Sequence, residues 1–208
     1  MELETKKDIV ILNYHRFGDS DDKYTREKKD FKGDLDILEN SIIGDPERMN
    51  GNVIITIDDG DTSAFEIAYP LLKQYNYPAI FCISTALIGK KGYMDWEQVK
   101  QVSEDFDIAS HGHNHIPLRP LDETQIMTEL LLSRNIIKKN IGRKPKLLSL
   151  PGGSGSGDER IINIAKKLGY TGIFTSISGR NNPLDMFKLQ RVPIGNKKYA
   201  NITNNTTK

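Results

Sequence analysis

Residues 52–85, NVIITIDDGDTSAFEIAYPLLKQYNYPAIFCIST, contain in one run the unit from which the fold is read. A β-branched run at 52–57 stops at Asp58-Asp59-Gly60. Residues 63–75 then carry apolar side chains at helical spacing, interrupted by Pro70, and 79–85 return to a short apolar strand. Strand, helix, strand in succession predicts parallel pairing, because only a crossover brings the chain back to start the next strand in the same direction.

The unit repeats in both directions. Upstream, DIVILNY (8–14) reads as a strand ending at His15, and FKGDLDILENSI (31–42) spaces Phe31, Leu35 and Leu38 as a helix does. Downstream come a helix at 95–104, a strand at 106–110 and a long helix at 122–142 closed by Gly142. A strand at 146–150, a helix at 158–169 and a strand at 172–177 continue the series. About seven strand–helix alternations predict an α/β fold with a parallel sheet, open or closed into a barrel. A length of 208 residues suits one domain over 1–208, with its core at about 8–196 and a polar, frayed tail at 197–208.

Composition narrows the function classes. With 29 basic and 28 acidic residues the net charge is +1, which gives no electrostatic footprint for nucleic acid or an anionic membrane. The single cysteine, Cys82, excludes an intramolecular disulfide, and its apolar setting AIFCIST marks a buried packing residue. No apolar run is long enough for a membrane span. The start MELETKKDIVILNYH carries acidic residues and too short an apolar run for a secretory signal. The tail holds Asn-Ile-Thr and Asn-Thr-Thr sequons, which matter only in a eukaryotic secretory setting.

The polar residues gather at strand ends. His15, the Asp58-Asp59 pair, the histidines after 110 and the Pro151-Gly152-Gly153 turn each follow a predicted strand, at the sheet edge where α/β sites assemble. Three of the four histidines fall within SHGHNHIPL (110–118). His111 and His115 stand at i and i+4 and share a face if the segment makes a helical turn, whereas His113 points away. Two imidazoles and one carboxylate are a catalytic ligand count for one divalent metal, leaving positions open for water and substrate. Zinc fits, and nickel, cobalt and manganese remain open. Adjacent carboxylates cannot point the same way from extended backbone, so one of Asp58 and Asp59 is available to the metal and the other as a base. That division suits hydrolysis.

These residues resemble those of the polysaccharide deacetylases of the NodB-homology type, carbohydrate esterase family 4, over almost the whole domain. ITIDDGDTSAFEIAYPLLKQYNYPAIFCIST (55–85) is similar to the family's first motif and IASHGHNHIPL (108–118) to its second, His-x-x-x-His. YMDWEQVKQVSEDFDIASH (93–111) and LNYHRFG (12–18) are most similar to the branch acting on poly-N-acetylglucosamine. The resemblance implies a distorted (β/α) barrel with fewer than eight repeats, a polysaccharide substrate, and an extracytoplasmic or cell-envelope location. It makes Asp58 the catalytic base and Asp59, His111 and His115 the metal ligands.

The sequence departs from the family at two places. SLPGGSGS (149–156) stands where Arg-Pro-Pro-Tyr-Gly is usual, so Ser149 replaces the arginine that orients the base and Gly152 the residue whose N–H serves the oxyanion hole. Arg191, in KLQRVPIG, is a candidate substitute for that arginine. No histidine follows residue 115, where the family's general acid is usual, so His15 is assigned that role as in the poly-N-acetylglucosamine branch, with His113 as runner-up. Trp96 and Tyr14 suit core packing, and either can instead form part of a sugar-binding wall.

Two other readings compete. In IITIDDGDTS (54–63), Asp59 and Asp61 are spaced as in haloacid dehalogenase-like phosphatases, although the remaining acidic residues are isolated and the histidines are left without a role. A metal-binding carbohydrate-binding domain that has lost turnover is suggested by Ser149 and the missing C-terminal histidine.

Overall fold

The computed structural model describes residues 8–41 and 52–196. The strands are β1 (Val10–Tyr14), β2 (Arg16–Phe17), β3 (Thr25–Arg26), β4 (Val53–Ile57), β5 (Ile80–Ile83), β6 (Asp107–Ser110), β7 (Leu147–Ser149), β8 (Gly172–Phe174) and β9 (Val192–Pro193). The α-helices are α1 (Lys28–Ile37), α2 (Tyr69–Tyr75), α3 (Trp96–Asp105), α4 (Glu123–Ile141) and α5 (Glu159–Leu168). Seven strands make one parallel sheet in the order β8-β7-β6-β5-β4-β1-β9, curled into a half-barrel, and β2 and β3 form a separate parallel ribbon. No helix among the described residues is long and apolar enough to cross a membrane. The tail at 197–208, with its sequons, lies outside the described residues.

Alternation along the strands sorts the side chains. Ile9 and Ile11, Ile54, Ile80 and Cys82, Ala109, Leu147, Phe174 and Leu189 form one buried cluster on the inner face of the curl. Val10, Leu12, Tyr14, Val53, Ile55, Ile57, Phe81, Ile83 and Ile108 face outward into a second cluster shared with the helices. Buried on both faces, parallel strands read as the continuous apolar runs seen in the sequence. Cys82 is part of the inner packing, as its setting predicts.

The sequence gives no sign of the seventh strand, β9. Residues 186–194 reach both edges of the sheet. Ile173 N donates to Met186 O (2.7 Å), Leu189 N to Ile173 O (3.0 Å) and Thr175 N to Leu189 O (2.8 Å), while Val192 and Pro193 pair with Leu12 and Asn13. This short segment draws β8 toward β1 and carries Arg191 into the interior, where it is buried.

Local chemistry sets the helix ends. Asp95 with Gln98 and Asp122 with Gln125 form capping boxes at the starts of α3 and α4, while Gly142 and Gly169 end α4 and α5 in the left-handed conformation. The interruption at Pro70 is a π-helical segment, Ala64–Ala68, running into α2. Proline lacks the N–H that would continue the α-helical ladder, and the wider winding absorbs the loss. The first predicted helix starts earlier than the spacing suggests, at Lys28, and tightens into a 3₁₀ turn at Leu38–Asn40.

Candidate metal centre and active site

The C-terminal strand ends bring the site together from four directions. Asp58 follows β4, His111 follows β6, Ser149 ends β7 and His15 follows β1. In the parallel pair β1–β4, Tyr14 is in register with Ile57, so His15 lies beside Asp58, and Asp58 N donates to Tyr14 O at 2.9 Å. All four residues belong to the inward-facing set of the curl.

Asp59, His111 and His115 present one ligand atom each, all within 4.8 Å of one another. Asp59 Oδ1 is 3.1 Å from His115 Nε2 and 3.4 Å from His111 Nε2. This oxygen is buried yet makes no well-formed hydrogen bond among the described residues. On His111, Nδ1 lies 2.9 Å from the carbonyl of Ser149, which can only accept. That contact places a proton on Nδ1 and leaves Nε2 to face Asp59, the tautomer that a metal ligand needs. An orphaned buried carboxylate oxygen facing two imidazole nitrogens fits a divalent cation. Burial alone would raise the Asp59 pKa, but the His111 and His115 imidazoles that face it outweigh burial and hold the carboxyl well below the usual range.

The i, i+4 pair does not share a helical face. Residues 111–115 form an irregular turn in which Gly112 (φ 71°) and His115 (φ 58°) both adopt left-handed backbone. The turn brings the two rings to 5.0 Å between centroids. Asp59 is also left-handed (φ 78°), which is how it turns to the histidines while Asp58 stays in strand register. Such backbone costs about 1–3 kcal/mol at a non-glycine residue and collects where a site dictates it. His113 is turned aside, with Nδ1 2.8 Å from Thr85 Oγ1.

Asp58 is fully enclosed. Arg191 grips it with two bonds, Nη1 to Oδ1 at 2.9 Å and Nη2 to Oδ2 at 2.8 Å, and the Ser149 hydroxyl donates to Oδ2 at 3.1 Å. Arg191 is itself anchored by Nε to Thr175 O at 2.9 Å, and its Nη2 donates to Ser149 Oγ at 3.0 Å. Burial would raise the Asp58 pKa, but the guanidinium wins and holds the carboxyl well below the ordinary range. The cation that pairs with Asp58 thus comes from the C-terminal segment leading into β9. Ser149 links both halves of the site: its carbonyl orients His111 and its hydroxyl bridges Arg191 and Asp58. In the sequence Arg191 stands out only as the one basic residue within LQRVPI.

His15 lies at the rim. Burial lowers its pKa, while the charges of Asp58 and Asp59 oppose that shift, and its Nδ1 is buried without a hydrogen-bond partner among the described residues. Tyr14, one residue earlier, points to the opposite face of the sheet. It is wholly buried, stacks on Phe17, meets Phe31 edge-on, and donates from its hydroxyl to Asp34 Oδ2 at 3.1 Å. Tyr14 is a core residue and forms no sugar wall, because strand alternation turns it away from the site. Trp96 opens α3 half-buried against the main core, in a packing position. Gly152 sits exposed in the turn after β7, in left-handed backbone (φ 56°), with open space where a side chain would project. The phosphatase reading fails at Asp61. Its Oδ1 accepts from Ser63 N at 2.9 Å at the start of the helical segment, and only Asp59 turns to the histidines.

Fold and site together define an α/β-barrel hydrolase with a candidate mononuclear metal centre. The chain belongs to the polysaccharide deacetylase family, whose model matches residues 46–173. It is 26% identical over 209 aligned positions to the Bacillus subtilis protein YxkH, named as a polysaccharide deacetylase, covering 93% of this chain and 74% of that one. It is 27% identical over 133 positions to the poly-beta-1,6-N-acetyl-D-glucosamine N-deacetylase of Staphylococcus aureus, covering 57% of this chain and only 45% of the relative. The fold matches that of the Streptococcus pyogenes deacetylase PplD with a TM-score of 0.85, at 21% identity over 93% of this chain and 95% of the other.

Proposed function

We propose that this chain is a metal-dependent deacetylase that removes acetyl groups from an N-acetylated polysaccharide. The observation that carries the proposal is the convergence of Asp59, His111 and His115 beside an ionised, arginine-held carboxylate, Asp58. The staphylococcal relative's name supports a poly-N-acetylglucosamine-type substrate. The donor set of two nitrogens and one oxygen suits zinc, with nickel, cobalt and manganese as alternatives. A divalent ion held there supplies Lewis acidity toward the acyl oxygen and acidifies water.

The side chains divide the remaining work. Asp58 is held ionised and immobile, and accepts the proton of the attacking water. Arg191 and the Ser149 hydroxyl fix its orientation. His15, beside Asp58 on the adjacent strand, donates the proton that the departing amine requires. The Gly152 N–H is assigned to the developing oxyanion. The compensating arginine favours turnover over a site reduced to binding.

Two measurements test the reading. Protein prepared without chelator should contain one divalent ion per chain and release acetate from a short N-acetylglucosamine oligomer. A chelator should abolish the release and added zinc restore it. Metal-free protein with full activity would overturn the proposal. For His15→Ala, turnover should fall roughly 10²-fold, the lower end of what a positioned acid contributes. Protonated His15 is the active form, so wild-type kcat/KM should decline as pH rises through its pKa. A variant that keeps this alkaline limb removes His15 from the mechanism.

A further inference from the structure

We infer that Glu129, on the buried face of α4, is a positioning residue that sets the metal affinity of the site by fixing the turn from which His115 projects. The inference rests on the proposed metal site. It starts from a contrast between the two imidazoles. His111 is aimed through its ring, by the Ser149 carbonyl at Nδ1. The His115 side chain is 36% exposed, and among the described residues nothing hydrogen-bonds to its Nδ1. Its direction therefore comes from the backbone, which is left-handed at that residue.

Glu129 holds that backbone. Its Oε2 accepts from His113 N at 3.1 Å and from Asn114 N at 2.9 Å, while Oε1 accepts from the Asn114 side-chain amide. The opposite side of the turn is fastened to the segment after β5, where Thr85 N donates to Gly112 O (3.3 Å) and Ala86 N to His113 O (2.9 Å). The turn is thus clamped between two elements, and among the described residues only Glu129 accepts from its N–H groups at 113 and 114. The residue lies in the helix's buried stripe with Ile126, Leu130, Ser133 and Ile137, where an apolar side chain would pack at lower cost. A buried carboxylate whose donors are all neutral is an expensive brace, and two converging backbone N–H groups are what it satisfies. Ser133, one turn on, ties α4 to the same strand end through Ser110 Oγ at 2.7 Å, so α4 is mounted as a support for the histidine turn.

The test is metal affinity in the folded protein, measured by zinc competition with a chelating indicator and by the visible spectrum of the cobalt-loaded form. Glu129→Ala should raise the zinc Kd about 10- to 100-fold, the usual effect of losing a group that orients a metal ligand, and alter the cobalt spectrum. Glu129→Gln should recover most of the affinity. Its amide oxygen can take both backbone N–H groups while the Asn114 amide turns over to accept from the new NH₂. Ile137→Val, on the same helix but away from the turn, should lower the melting temperature and leave the zinc Kd unchanged. A folded Glu129→Ala protein with wild-type zinc affinity and cobalt spectrum overturns the inference. If that variant does not fold, Asn114→Ala decides: several-fold weaker zinc binding supports the clamp, and unchanged binding overturns it. Failure of the wild type to bind zinc or cobalt would instead remove the metal site itself.

Discussion

Asp58→Asn should lower kcat for acetate release by roughly 10²- to 10⁴-fold, the range for a positioned general base, while the bound metal stays at the wild-type stoichiometry. The substitution keeps the shape of the side chain and one acceptor oxygen for Arg191, but removes the group that takes the proton. The ligand set is untouched, because Asp59 turns to the histidines through its own left-handed backbone and Asp58 faces Arg191 and Ser149. Side-by-side metal analysis and steady-state kinetics separate the two roles. If the variant turns over at close to the wild-type rate, Asp58 is only the arginine's structural partner. If it loses metal as well as activity, the two aspartates are not divided as assigned.

Arg191→Met should destabilise the metal-free protein at pH 7 by about 3–5 kcal/mol, the cost of stranding one member of a buried ion pair. In the wild type, Asp58 has a depressed folded pKa. Its contribution to stability is therefore complete above the unfolded value of about 4 and is lost progressively as pH falls from there to the much lower folded value. Without the guanidinium, burial becomes the leading influence and raises the Asp58 pKa above the unfolded value. Folding then takes up a proton, and the variant recovers stability relative to wild type as pH falls. Urea denaturation of both proteins at pH 7 and pH 5 should show the deficit shrinking at the lower pH. A deficit under about 1 kcal/mol, or one independent of pH, would mean that the pair adds little beyond what a packed methionine supplies. Turnover should fall too, since Asp58 would lose its orientation and part of its charge at neutral pH.

Much of the framework was legible from local chemistry. Apolar runs ending in turn residues locate six of the seven strands of the sheet, because parallel strands buried on both faces have no other composition open to them. Capping residues such as Asp122 and Gly142 mark helix ends by bonds made within a few positions. The site residues were visible by type: three of the four histidines in one short window, and two carboxylates at a strand end, are uncommon without chemistry. The His111 and His115 rings do come within 5.0 Å of each other between centroids, but not by the route that their spacing suggests. Spacing implied a helical turn, whereas the rings meet across left-handed backbone at 112 and 115.

What spacing could not show is the set of contacts made between distant parts of the chain. Tyr14 and His15 are neighbours in sequence, yet strand alternation and the direction of curl send one into the core and the other to the rim. The two-residue β9 has no pattern of its own and exists only because residues 186–194 bridge the edges of a curled sheet. Arg191 becomes the partner of Asp58, 133 positions away, through that bridge. Glu129 looks like an ordinary helix surface charge until α4 docks and points it at the histidine turn. The sequence by itself determined the element types and the chemical kinds of the site residues, because propensity, capping and alternation act over a few residues. The tertiary structure decided which atoms share a proton, a cation or a hydrogen bond, since those choices depend on burial and on distances that only the curled sheet and its packed helices define.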